Sequence, residues 1–411
     1  PYGAHVYVLN YSGNQDENHY NRAESRQNHA MIGHGGSYVT GDKTGEITVG
    51  AGSGIDFRGG DSVEGSGDNN SGYLNFAMIG HGGYQSWRQI RTGLSSSVLP
   101  DVYTYADTWN LPYTHDGTQF IFDGTGTFMW PSDNSIDAAK GFGNPLYDGF
   151  SGDVNVSATS GDISFSGGTG LAAFTQIGHG GVETGGDHNG EITVTASNGD
   201  IIFSANRIEE TGSSATSTYT FAKIGHGGAF SSGEQSGGIN VEASGEIRFK
   251  AGRSDSFAMV GHGGRESHGS AATGGWGTGR PDVRHSSNYL NDRQTMYRPG
   301  SRTGDISVLA GGDIEFVGGN ENGDRAFTQI GHGGFQIHAN PDPLSQFGDG
   351  HSGDITVKST GGSLLLRGGD RANAHALIGH GGTESFGNHG GDGKDNRADS
   401  DIYVEASTGI R

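Results

Sequence analysis

The segment Ile/Val-Gly-His-Gly-Gly occurs seven times in this 411-residue chain, centred on His34, His81, His179, His226, His262, His332 and His380. A motif that recurs in this way implies one supersecondary unit laid down again and again, since no single copy closes a core of its own. After most pentads comes a run in which β-branched and small polar residues alternate, as in Glu46-Ile47-Thr48-Val49, Glu191-Ile192-Thr193-Val194 and Asp354-Ile355-Thr356-Val357. A third run follows 8 or 9 residues later, counted isoleucine to isoleucine: Ile55-Asp56-Phe57, Ile163-Ser164-Phe165, Ile314-Glu315-Phe316. Period-two alternation reads as strand, and no helical periodicity intervenes.

The turn between the second and third runs is nearly constant and made of turn residues, as in Gly50-Ala51-Gly52-Ser53-Gly54. The other connections vary, because successive histidines are 47, 98, 47, 36, 70 and 48 residues apart while the strands keep their form. The expected fold is therefore all-β: a parallel β-solenoid, a three-sided β-helix of about seven coils with two long loop insertions, forming one unit over residues 1–411. Coils would stack about 4.8 Å apart. A hydrophobic share of 31% is thin for a globular core of this length but suits a narrow core running down a stack.

Composition narrows the functions. The 79 glycines follow no three-residue period, which excludes collagen. Without cysteine there are no disulfides, thiolate metal sites or thiol catalysis. The net charge of −21 would repel nucleic acid and anionic membrane surfaces, and no apolar run reaches the roughly 18 residues of a membrane span. Both ends fall in mid-unit, at Val6-Tyr7-Val8 and Gly409-Ile410-Arg411. An open solenoid edge invites pairing, so the expected partner is the same repeat, met head to tail in another copy or in a longer chain.

Within Phe76-Ala77-Met78-Ile79-Gly80-His81, alternation turns Ala, Ile and His inward. The position after alanine, which is Met, Gln, Lys or Leu in the various copies, is then expected to face solvent. Stacking places the seven imidazoles in a column, for which three chemistries compete. One is a structural ladder in which rings stack and bond a neighbouring carbonyl. Another is a chain of copper, zinc or nickel sites, although no second ligand recurs in phase beside the pentad. The third is a pH-responsive lattice of buried neutral histidines. Acidic residues ahead of the strands, among them Glu46, Asp153, Asp162, Glu191, Asp200, Glu246, Asp305, Asp313, Asp354 and Asp401, read as solvated turn residues, with calcium binding as the alternative.

Two insertions stand out. Residues 84–151 are rich in aromatics and hold Trp87, Trp109 and Trp130, which suit a small subdomain or a docking surface for a partner or a sugar. Residues 265–303 carry Arg265, Arg280, Arg284, Arg293, Arg298 and Arg302, a set able to pair with acidic turns of a neighbouring molecule or to remain solvated. Catalysis on a β-helix needs carboxylates or bases clustered in one cleft, whereas His115 beside Asp116 stands alone. The chain is expected not to be an enzyme, with a polysaccharide-active β-helix as the catalytic alternative.

The runs Gly161-Asp162-Ile163-Ser164-Phe165, Gly312-Asp313-Ile314-Glu315-Phe316 and Gly45-Glu46-Ile47-Thr48-Val49, with turns such as Ala310-Gly311-Gly312, resemble filamentous haemagglutinin-like adhesins and other large secreted β-helix repeat proteins. The pentad itself departs from the usual pattern of that family. The resemblance implies an extracellular or cell-surface location, attachment to a cell surface or glycan, aggregation or biofilm roles, and no catalytic residues. The expected function is a structural or adhesive subunit of an extracellular filament, the alternative being a metal-binding filament built on the histidine column.

Overall fold

The computed structural model describes residues 29–37, 43–59, 75–84, 149–168, 173–182, 184, 186–205, 220–231, 233–252, 255–265, 301–319, 324–335, 350–383, 385 and 400–411, together with the backbone of strands Val6–Leu9, Tyr113–His115, Gln119–Phe122 and Gly126–Met129. The coil around His226 shows the unit. Phe221–Ile224 runs into the pentad, Gly227–Ala229 leaves it, and Gln235–Ser236, Ile239–Ala243 and Ile247–Lys250 complete the circuit. Each strand lies parallel to its counterpart in the coils on either side, with like residues opposed, as in Ile192↔Ile239↔Ile306 and Phe203↔Phe249↔Phe316.

Following the chain around the coil, the counterparts form five parallel sheets of 7, 6, 6, 7 and 8 strands. This is the parallel β-solenoid read from the repeat. All three expected strand classes are present, in the first, fourth and fifth sheets. The second and third sheets are additions, made of Gly-Gly-x strands and of two-residue strands. A glycine strand shows no alternation and two residues are too few to show any, so periodicity passes over both.

Alternation in the fourth and fifth sheets sends Ile, Val, Ala and Phe inward, where they join the inner Ala and Ile of the first sheet in one continuous core. Register stacks like on like: the rings of Phe57, Phe165, Phe203, Phe249 and Phe316 lie 4.7–5.0 Å apart, centroid to centroid. The core is narrow, as the composition required.

A second core corrects the sequence reading. Met78, Gln176, Lys223, Met259 and Gln329, expected to face solvent, are completely buried. The chain folds so sharply at Gly-His-Gly that the second sheet lays Tyr84, Val182, Ala229 and Phe335 over the outer face of the first, against a column of stacked phenylalanines. The middle glycine of the second-sheet strand makes room: a Cβ on Gly264 would lie 2.9 Å from the Phe257 ring.

Polar members of this column survive burial because their tips find carbonyls. Gln176 Nε2 donates to the carbonyls of His179, Gly225 and Gly227 at 3.1, 3.0 and 2.9 Å. Gln329 does the same with His332, Gly379 and Gly381. Lys223 Nζ donates to His226 O and, at 2.6 Å, to Gly263 O. Burial, with Arg302 nearby, holds the Lys223 amine well below the usual lysine range.

Both insertions leave the second sheet and rejoin the chain at the third, between Gly82–Tyr84 and Phe150–Ser151 and between Gly263–Arg265 and Arg302–Thr303. The first contains a three-stranded antiparallel sheet that pairs Phe120 with both His115 and Phe128. Trp87, Trp109, Trp130, Arg280, Arg284, Arg293 and Arg298 lie outside the described residues. The two end arginines of the second insertion are not solvated loop charges. Arg265 is buried, pairs with Asp255 and covers the Phe335 ring at 5.3 Å, while burial lowers Arg302 to about 9.

Gln329 offers a test of the second core. Gln329→Glu would turn a carboxylate toward three carbonyls and is expected to cost about 3 kcal/mol or more. Gln329→Met, which copies Met78 and Met259, should cost under about 1.5 kcal/mol. Urea unfolding of both variants reads the difference.

Candidate functional site: the histidine column

The pentad forms where the first sheet turns into the second, and its glycines are dictated by the neighbouring coil. A Cβ on Gly80 would lie 2.0 Å from Gly178 O, and one on Gly261 would lie 1.9 Å from Gly331 O. At the glycine after histidine, a Cβ on Gly82 would meet Gly180 O at 2.0 Å; at the last glycine, one on Gly83 would meet Gly36 O at 2.1 Å on the opposite side. All four have φ between +118° and +150°, where a side chain is strained as well as crowded. Carbonyl oxygens thus take the space that a Cβ would need.

With backbones this close, the imidazoles fall into register. Rings of adjacent coils lie 4.7–5.0 Å apart and within 12° of parallel, from His34 through His81, His179, His226, His262 and His332 to His380. From His81 onward, Nδ1 accepts the backbone N–H of the histidine one coil earlier at 3.0–3.1 Å. Nε2 lies 2.7–2.9 Å from the carbonyl oxygen of a glycine at the turn between third and fourth sheets, in the series Gly45, Gly152, Gly190, Gly237, Gly304, Gly353. An acceptor at Nδ1 fixes the tautomer, so the proton sits on Nε2 and is donated to the glycine carbonyl. Each ring therefore ties two turns of its coil stack together.

Burial holds these histidines neutral. The imidazole of His179 is lowered to about 3, and those of His226, His262 and His332 fall well below the usual histidine value, in every case chiefly through loss of hydration. A neutral imidazole has one lone pair, and here it already accepts an amide. From His81 to His380 the arrangement leaves no ring nitrogen for copper, zinc or nickel, and no group of three or more potential metal ligands converges among the described residues.

The acidic turns also have a structural task. Asp153, Asp200, Asp305 and Asp354 each accept, through Oδ1, the backbone N–H of the acidic residue one coil later at 2.8–2.9 Å. Asp313 accepts both the backbone N–H and the hydroxyl of Ser363, and these bonds hold its carboxyl below the ordinary value. Aspartate has the reach for this bond and serves as an inter-coil cap.

Sequence reasoning missed one column. The first residue of each third-sheet strand, in the order Lys43, Phe150, His188, Gln235, Arg302, His351, is buried. Its chemistry changes with every coil, so no residue class marks it. The signal lies in the following positions, since each is followed by Thr, Ser or Asn and then Gly, four residues ahead of the Ile or Val that opens the next strand.

No protein-family model, curated protein or solved structure matches the chain.

Two measurements check this geometry. In 15N-histidine spectra at neutral pH, the column should show unprotonated Nδ1 and protonated Nε2, unchanged by added zinc, copper or nickel. Gly261→Ala is expected to destabilise by more than about 2 kcal/mol through the carbonyl clash. Gly50→Ala, whose added Cβ would meet nothing nearer than Ser157 Oγ at 3.5 Å, should change stability by less than about 1 kcal/mol.

Proposed function

We propose that this chain is a structural segment of an extracellular filament or surface fibre, extended by laying coil upon coil, with no catalytic role. The observation that carries this reading is the in-register stacking of like residues from coil to coil, which runs one apolar core along the whole stack. Ile402 continues the column of Ile306 and Ile355, and Ile410 continues that of Ile314 and Leu364. Each coil thus offers its neighbour the same backbone groups and the same apolar columns, a surface suited to another copy of the same repeat.

Other features support the reading. The interior is filled by stacked side chains, and the polar groups of the pentad are committed to holding coils together. The cysteine-free, glycine-rich composition and the adhesin-like runs suit an exported fibre, located outside the cell or at its surface. Contact with a cell surface or glycan is assigned to the aromatic insertion, residues 84–151.

Electron microscopy of purified protein at rising concentration is expected to show unbranched filaments whose fibre diffraction repeats at about 4.8 Å along the axis. Ile402→Asp combined with Ile410→Asp should leave single particles. Dispersed particles with the mass of one chain at every concentration would overturn self-assembly.

A further inference from the structure

We propose that the histidine column is an acid-operated release that holds neighbouring coils together at neutral pH and lets them part as the pH falls. The proposal rests on which atom takes the proton. In a neutral ring Nδ1 is the acceptor for the preceding coil's histidine N–H, at 3.0 Å for the His179–His226 pair. Protonation turns Nδ1 into a donor, so two N–H groups face each other and the inter-coil bond is lost. The charge also lies one ring spacing, 4.8 Å, from the next imidazole. A second proton on that ring meets direct repulsion.

Among the described residues, no carboxylate pairs with an interior ring of the column. The basic groups outside the column that bear on the buried rings are Lys223 from the first sheet and Lys43, His188 and Arg302 from the third. The acidic Glu46, Asp153, Glu191, Asp305 and Asp354 each follow a glycine acceptor of the column but make no ion pair with its interior rings. Interior rings are completely buried, so a proton reaches one of them only when its own coil opens.

The direction of the pH dependence follows from the lowered proton affinity of the folded state. The stabilisation is fully present above the unfolded histidine value of 6.5 and is lost as the pH falls toward the folded values, about 3 for His179. Because several imidazoles charge together, the open population should rise on the order of a hundredfold or more per pH unit. A single titrating group would give at most about tenfold.

The test uses dispersed protein, so it stands apart from the fibre reading. Hydrogen exchange and 15N-histidine spectra are followed together from pH 8 to pH 3. The amides of Gly225, Gly227 and Gly263 should lose protection as the pH falls below the unfolded histidine value, and interior imidazoles should stay neutral until their own coil exchanges. Interior rings that become charged while their coils remain protected would overturn the proposal, as would protection that stays unchanged down to pH 3. The combined variant Asp153→Asn, Asp200→Asn and Asp354→Asn keeps the inter-coil acceptors but removes their titration. If the acid transition disappears in that variant, carboxylates control it and the histidine column does not.

Discussion

Everything in this solenoid depends on how closely backbones of successive coils approach at one corner. A glycine carbonyl of one coil occupies the place where a Cβ of its neighbour would stand, at Gly80, Gly82, Gly261 and their equivalents. That contact allows the chain to reverse sharply and fold the second sheet over the first, which creates the second core. It also places the histidine N–H of one coil within reach of Nδ1 in the next, so ring, amide and glycine carbonyl form one repeating bond pattern. A side chain at any of these glycines would push the coils apart and undo all of it.

The fold accommodates the polar groups of the pentad, the glutamine column and the acidic turns by giving them fixed backbone partners. Column imidazoles from His81 onward use both nitrogens, glutamine amides cap carbonyls, and aspartates cap the amide one coil later. Such partners repeat with the coil because parallel in-register stacking presents the same backbone groups at every rung. Length variation goes elsewhere: both long insertions leave between the second and third sheets, where the strands are shortest. Inserted residues there do not disturb the register of the apolar columns.

The column of Met78, Gln176, Lys223, Met259 and Gln329 shows where alternation misleads. Period two correctly places these residues opposite Ala and Ile, but opposite the core does not mean in water. The residues that cover them come from a strand whose own pattern is mostly glycine. The aspartates illustrate the same limit, since a turn residue and an inter-coil cap look alike until the next coil is in place.

The sequence alone determined the strand period, the seven repeats and the inward histidine, because these follow from local alternation and from the spacing of identical segments. It also implied a column of stacked imidazoles, since parallel stacking superposes whatever repeats. Only the tertiary structure decided that the coil has five strands, that a second core exists, and that from His81 onward the lone pair of each column imidazole is already engaged. The reason is that these features depend on contacts between residues of different coils, such as His179 with His226 or Gly80 with Gly178; the chain repeats these residues, but which of their atoms meet is set by backbone packing.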